Sequence, residues 1–277
     1  MSLASEIERN VAAALAEDVG SGDWTARLTP QDARARATVI SRAQAVIAGR
    51  PWFDAVFQKL DAAVKITWHV DEGAEAAPST RLCTLEGNAR ALLTGERTAL
   101  NFLQTLTAVA TTTQHHVRAA AGNKAVIIDT RKTLPGLRVA QKYAVKMGGG
   151  GNHRMGLFDA MLIKENHIAA AGGITAALTE ARRIAPPQVW IQIEVETLDQ
   201  LREALAAGAT MILLDNMTTA QMCEAVNIAA GRAKLEASGG ITLENLRAIA
   251  ETGVDRISIG ALTKDVKAAD LSMRFEA

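Results

Sequence analysis

Hydrophobic and polar positions follow two different rhythms along this chain. Up to about residue 108 the pattern is mixed. The opening "MSLASEIERNVAAALAEDVG" (1–20) spaces its apolar residues three and four apart among charges, as an amphipathic helix does. Short runs at "ATVIS" (37–41), "AVIAG" (45–49), "KITWHVD" (65–71) and "RLCTLEG" (81–87) have the β-branched, bounded character of strands. A helix from Pro51 to about Lys59 interrupts them, with proline in its first turn. Then "TGERTALNFLQTLTAVATTTQHHVRAAAG" reads as one long helix ending at Gly122, with His115 and His116 on its polar face.

From Lys124 the rhythm becomes regular. Apolar runs "AVIID" (125–129), "AMLIK" (160–164), "WIQIEV" (190–195), "MILLD" (211–215), "KLEAS" (234–238) and "RISIG" (256–260) alternate with helical stretches starting near Leu134, Ile174, Leu198, Thr219 and Leu243. Continuous apolar strands between helices predict a parallel sheet covered by helices. Six such units make either an incomplete α/β barrel or an open doubly wound sheet. No Pro- or Ser-rich linker separates the two parts, so the boundary is soft. It is placed near residue 108, giving domains 1–108 and 109–277, the last residues being expected to pack back on the first domain.

The strand ends favour the barrel. Asp129-Thr130-Arg131-Lys132, Lys164-Glu165, Glu194, Asp215-Asn216, Ser238-Gly239-Gly240 and Gly260 all sit at C-terminal ends. In a barrel those ends converge on one mouth, where barrel enzymes place their chemistry. An open sheet would spread them along a line and use mainly the switch point.

Composition narrows the partners. Thirty basic and thirty acidic residues give a formal net charge of zero, which argues against nucleic acid or an anionic membrane as the main partner. No uninterrupted apolar stretch is long enough to span a membrane, and the N-terminus lacks the basic and apolar regions of a signal peptide. The two cysteines, Cys83 and Cys223, have no metal-ligand spacing and are expected to be reduced thiols of a cytoplasmic protein.

Against that neutral total, positive side chains gather at the mouth. Arg131 and Lys132 follow one strand, Lys164 ends another, and "MGGGGNHRMG" (147–156) offers His153 and Arg154 after four consecutive glycines. Such a run suggests a sharp turn or a close backbone approach. Each residue alone could be a solvated surface charge, and Arg97, after Thr94-Gly95-Glu96, reads by itself as half of a surface ion pair. Together they are harder to dismiss. Like charges about 4 Å apart repel by about 4 kcal/mol at an effective dielectric near 20. Glu194 and Asp215 are too few to neutralise the cluster, so a multiply anionic substrate is expected, with arginine suited to bidentate carboxylate contacts.

Two glycine-containing turns add a phosphate. "ASGGITLEN" places Ser238, Gly239 and Gly240 before a helix N-capped by Thr242, and "SIGALTKD" repeats the arrangement at Ile259, Gly260 and Ala261. Backbone N–H groups at neighbouring turns cradle phosphate, and barrels place phosphate sites after their final strands. Triphosphate and dinucleotide fingerprints are absent.

The motifs "DTRKTLPGLR", "GGGGNHRMGLFDAMLIKENH", "IEVE", "ILLDN" and "SGGIT" resemble those of the quinolinate phosphoribosyltransferases, over nearly the whole length. The resemblance implies an N-terminal α/β sandwich followed by an open α/β barrel, in a homodimer whose sandwich closes the partner's barrel mouth. It implies transfer from phosphoribosyl pyrophosphate (PRPP) to quinolinate in NAD biosynthesis, giving nicotinate mononucleotide, pyrophosphate and CO₂. Arg97 from the partner chain, with Thr130, Arg131, Lys132, His153, Arg154 and Lys164, would then line the quinolinate pocket. Glu194 and Asp215 would face PRPP and its Mg²⁺, with Lys132, Glu194 and Asp215 the catalytic residues. Ser238, Gly239, Gly240, Ile259, Gly260 and Ala261 would hold the 5-phosphate. No organic prosthetic group is implied. Gln192 departs from the pattern, since relatives often carry another acid there. Rival readings are a Schiff-base lyase with Lys164 as nucleophile, a related protein of molybdate uptake, and a non-enzymatic anion binder.

Overall fold

A computed structural model describes residues 2–276. The chain forms two compact units. The first comprises residues 2–114, 133–149 and 262–276, and the second residues 115–132 and 150–261.

The elements run α1 (Leu3–Val19), β1 (Arg34–Ser41), β2 (Ala45–Val46), α2 (Arg50–Leu60), β3 (Lys65–Trp68), β4 (Glu75–Ala76), β5 (Arg81–Asn88), α3 (Ala89–Ala119), β6 (Val126–Ile128) and α4 (Arg138–Met147). They continue with β7 (Ala160–Ile163), α5 (Glu165–Ala171), α6 (Ile174–Ile184), β8 (Trp190–Val195), α7 (Leu198–Ala206) and β9 (Met211–Asp215). The last are α8 (Thr219–Ala229), β10 (Lys234–Ser238), α9 (Leu243–Glu251), β11 (Arg256–Ser258), a short helix at Ala261–Lys264 and β12 (Leu271–Phe275).

In the first unit an antiparallel sheet has the order β12-β1-β5-β3. The C-terminal strand β12 pairs with β1, from Ala37 opposite Phe275 to Ser41 opposite Leu271. Helix α2 packs its buried Trp52, Phe53, Val56 and Phe57 inward, where Phe53 meets Phe57 and Trp68 edge to face with centroids 5.1 and 5.3 Å apart. Each such aromatic pair adds about 0.5–1.5 kcal/mol beyond its buried area. The expected strand 45–49 shortens to Ala45–Val46, because Gly49 turns to a positive φ and its N–H donates to Glu72 at the start of α2. The strand from Lys65 likewise ends at Trp68.

The second unit carries a parallel sheet in the order β6-β11-β10-β9-β8-β7. It is barrel-like and not closed, as the strand pattern predicted. Beyond the outer edge of β6 one parallel bridge joins Ile128 to Gly151. Helices α7, α8 and α9 begin on Thr197, Thr218 and Thr242 in reciprocal capping boxes, which stop each loop at the strand's end. Strands β4 and β12, the short α5 and the short helix at Ala261–Lys264 were not expected, and His116 lies buried rather than on a polar face of α3. The helix expected from Leu134 begins at Arg138, because Leu134 N–H donates instead to the side chain of Gln141.

Candidate active site

One cavity of about 160 Å³ opens among the C-terminal strand ends of the second unit. It is lined by Thr130, Arg131, Lys132, His153, Arg154, Lys164, Glu194 and Ser238 from the expected set, together with Leu162, Leu213, Glu236 and Ser258. Asp215, Gly239, Gly240, Ile259, Gly260 and Ala261 lie at neighbouring strand ends and are not part of this lining. Arg97 lies on α3 in the first unit and is not among the lining residues either.

The segment after β6 is set by Asp129. Its carboxylate is fully buried and accepts the backbone N–H of His153 at 2.9 Å and Nδ2–H of Asn152 at 2.6 Å. Its own N–H donates to Gly151 O at 3.3 Å. One acid therefore fixes the segment 151–153 beside β6. The glycine run serves this packing. Gly148 ends α4 where a Cβ would collide with the carbonyl of Ala110, and Gly151 lies along Ile128. Beyond the run, Asp159 accepts the N–H groups of Met155 and Gly156 and tightens the turn into β7.

Arg154 is buried, and its Nη1 donates to Ala160 O at 2.9 Å. Burial, then the neighbouring Arg131 guanidinium, lowers its proton affinity from the usual arginine value, while Asp159 opposes the shift. Two guanidiniums lining one cavity favour an anion there. Lys132 lies beside Gly260, and its N–H donates to Thr130 Oγ1 at 3.0 Å. Lys164 Nζ stands 3.1 Å from Glu194 Oε2. Desolvation raises the Glu194 carboxyl above its ordinary value, Lys164 counters this, and Asp215 and Glu165 add to the rise. A Schiff-base lysine needs a desolvated, neutral amine. Lys164, half-exposed and ion-paired, is in the opposite situation.

Two residues were missed as participants, Glu236 and Gln192. Glu236 is 1% exposed, receives Gln192 Nε2–H at 3.0 Å and lines the cavity. Gln192 Oε1 in turn lies 3.0 Å from His153 Nε2. Both sit inside strands that look apolar in sequence, and the signal was the polar residue interrupting each run, Gln in "WIQIEV" and Glu in "KLEAS".

At the ends of β10 and β11, Gly239 has φ +97° and Gly240 φ +57°, turning the chain away from β10. Asn216, itself at φ +52°, donates its side-chain amide to Asp215 and occupies the space a Cβ on Gly239 would need. Ile259 N–H donates to Ile128 O at 3.0 Å, continuing the β6–β11 pairing, which leaves donors for an anion at Gly260 and Ala261 rather than at Ile259.

Two family models match nearly the whole chain: the quinolinate phosphoribosyl transferase N-terminal domain over residues 23–107 and its C-terminal domain over 109–274. A Bacillus subtilis protein named "Probable nicotinate-nucleotide pyrophosphorylase (carboxylating)" is 43% identical over 257 residues, covering 93% of this chain and 89% of its own length. Quinolinate phosphoribosyltransferase (decarboxylating) 2b of Nicotiana tabacum is 38% identical over 283 aligned residues, covering 95% of this chain and 80% of its own. The solved nicotinate-nucleotide pyrophosphorylase of Francisella tularensis superposes with a TM-score of 0.96 at 44% identity, covering 100% of this chain and 98% of that one.

Proposed function

The chain belongs to the quinolinate phosphoribosyltransferase family, and from that premise we propose that the cavity just described is its active site. The reaction is decarboxylating phosphoribosyl transfer from PRPP to quinolinate, giving nicotinate mononucleotide, pyrophosphate and CO₂ in NAD biosynthesis. The observation that carries the assignment of the site is convergence: Arg131, Lys132, Arg154 and Lys164, from three separate segments, surround one small cavity.

In this reading the cationic side chains bind the two carboxylates of quinolinate and orient the ring nitrogen toward C1 of the ribose. Glu194 and Asp215 face the ribosyl centre, where positive charge develops as pyrophosphate departs. The nitrogen's lone pair forms the new bond to C1, and the ring becomes a pyridinium. That charge stabilises the electron pair left on C2 when the 2-carboxylate leaves as CO₂, and a proton then adds there to form a new C–H bond. Groups fixed before the reaction do most of this by electrostatics, and no covalent enzyme intermediate is required. Ser238, Gly239, Gly240, Gly260 and Ala261, with Ile259 as backbone support, hold the 5-phosphate.

Among the described residues no cluster of three or more His, Cys, Asp or Glu could hold a metal ion. Glu194 and Asp215 are already engaged by Lys164 and Asn216. Such a donor set fits Mg²⁺ bound mainly by substrate phosphates and water, with at most one or two carboxylates. When bound it neutralises charge on the departing pyrophosphate. The proposal extends to a cytoplasmic homodimer in which Arg97 of a second copy completes the quinolinate pocket, and to a division near residue 108. The two family models meeting at 107 and 109 support that division.

Purified protein given quinolinate, PRPP and Mg²⁺ is expected to release CO₂ and nicotinate mononucleotide together, while nicotinate in place of quinolinate gives no product. Equal turnover of nicotinate would refute a pocket built for two carboxylates.

A further inference from the structure

The residues around His153 form a hydrogen-bond chain whose direction is set by its ends. At one end the backbone N–H of Arg154, an obligate donor, lies 2.7 Å from His153 Nδ1, so that nitrogen must accept. A neutral imidazole then carries its proton on Nε2, which points 3.0 Å to Gln192 Oε1. The amide's other end, Nε2–H, donates 3.0 Å to Glu236 Oε2. Reversing the amide would set its NH₂ against the Nε2 proton and its oxygen against a carboxylate. The remaining oxygen of Glu236 makes no hydrogen bond and stands 3.6 Å from His153 Nε2. Trp190 packs against the imidazole in an edge-to-face arrangement, with centroids 5.2 Å apart.

We propose that Gln192 and Glu236 are positioning residues of this site: they hold His153 as the neutral Nε2–H imidazole, whose Nδ1 fixes the backbone, and with it the guanidinium, of Arg154. Both ring nitrogens are then spent on protein groups. His153 shapes the pocket and aims Arg154, and the positive charge facing the substrate is supplied by its neighbours. Gln192 is suited to this because an amide can accept at one end and donate at the other. A carboxyl group there could do both only by holding a proton between two acids. This inference rests on the assignment of the cavity as the quinolinate pocket.

The test uses the full chain with ¹⁵N-labelled histidine. Nitrogen spectra of its five histidines, with His153 assigned through His153→Gln, should show Nδ1 unprotonated and Nε2 protonated. Gln192→Leu and Glu236→Leu should free the ring to turn away from the Arg154 N–H, blur that signature into mixed tautomers and weaken quinolinate binding about tenfold, seen by calorimetry without PRPP and as a raised KM with little change in kcat. Glu236→Gln, which still offers an oxygen to Gln192, should keep both the tautomer and the affinity. A wild-type His153 protonated on Nδ1 or on both nitrogens overturns the proposal, whatever the variants do. So does an unchanged quinolinate affinity in folded Gln192→Leu. Wild-type protein that binds no quinolinate would instead sink the functional reading, and the tautomer would still decide this one.

Discussion

Lys164 Nζ lies 3.1 Å from Glu194 Oε2, an ion pair whose lysine side chain is 48% exposed and whose glutamate is 7% exposed. The pair is lopsided. Water solvates the ammonium, while burial leaves the carboxylate under-solvated and raises its affinity for a proton despite Lys164. A folded-state value above the unfolded one means that the native state binds the proton more tightly. Stability therefore falls as pH rises from the ordinary carboxylate range through the raised value.

Glu194→Gln should accordingly raise the thermal midpoint relative to wild type at neutral pH. The gain should vanish below the ordinary carboxylate range, where Glu194 is protonated in both states. The same change should lower kcat by about 10²–10³-fold, as loss of one preorganised electrostatic group does. Melting curves across pH together with steady-state rates check both halves, and a destabilised variant at neutral pH would contradict the burial argument.

Asp129 ties β6 to the loop that carries His153 and Arg154. Asp129→Asn cannot accept both bonds without an amide facing a donor, and it should lose about 1–3 kcal/mol of stability. Its quinolinate KM should rise because the loop moves. Urea unfolding and initial rates would reveal it.

Gly239 combines a left-handed φ with close packing on the Asn216 side chain. Gly239→Ala should cost about 1–3 kcal/mol in backbone strain and displace Asn216 from Asp215. If this turn cradles the 5-phosphate, the KM for PRPP should rise while quinolinate affinity, measured alone, stays as in wild type.

A site shared between copies can be tested by mixing inactive chains. Arg97→Ala and Arg131→Ala proteins, unfolded and refolded together, should recover about a quarter of wild-type activity if each mixed two-fold dimer rebuilds one intact site. No recovery despite demonstrated exchange would argue that Arg97 acts within its own chain or not at all.

Much of this was legible along the chain. Strand–helix alternation is local: runs such as "MILLD" and the capping threonines carry their own periodicity and stop signals, and β8, β9 and β10 lie where their apolar residues lie. Polar residues at strand ends were legible for the same reason, and they marked the mouth of the barrel. What distance along the chain hides is pairing. The partner of β12 is β1, more than two hundred residues earlier, and no local pattern encodes it. Glu236 and Gln192 look like blemishes in apolar strands until the sheet folds their side chains toward His153. The sequence by itself determined which segments become strands and helices, because that depends on residues three or four apart. Only the tertiary structure decided which buried polar groups satisfy one another, because a buried donor must find its acceptor in space.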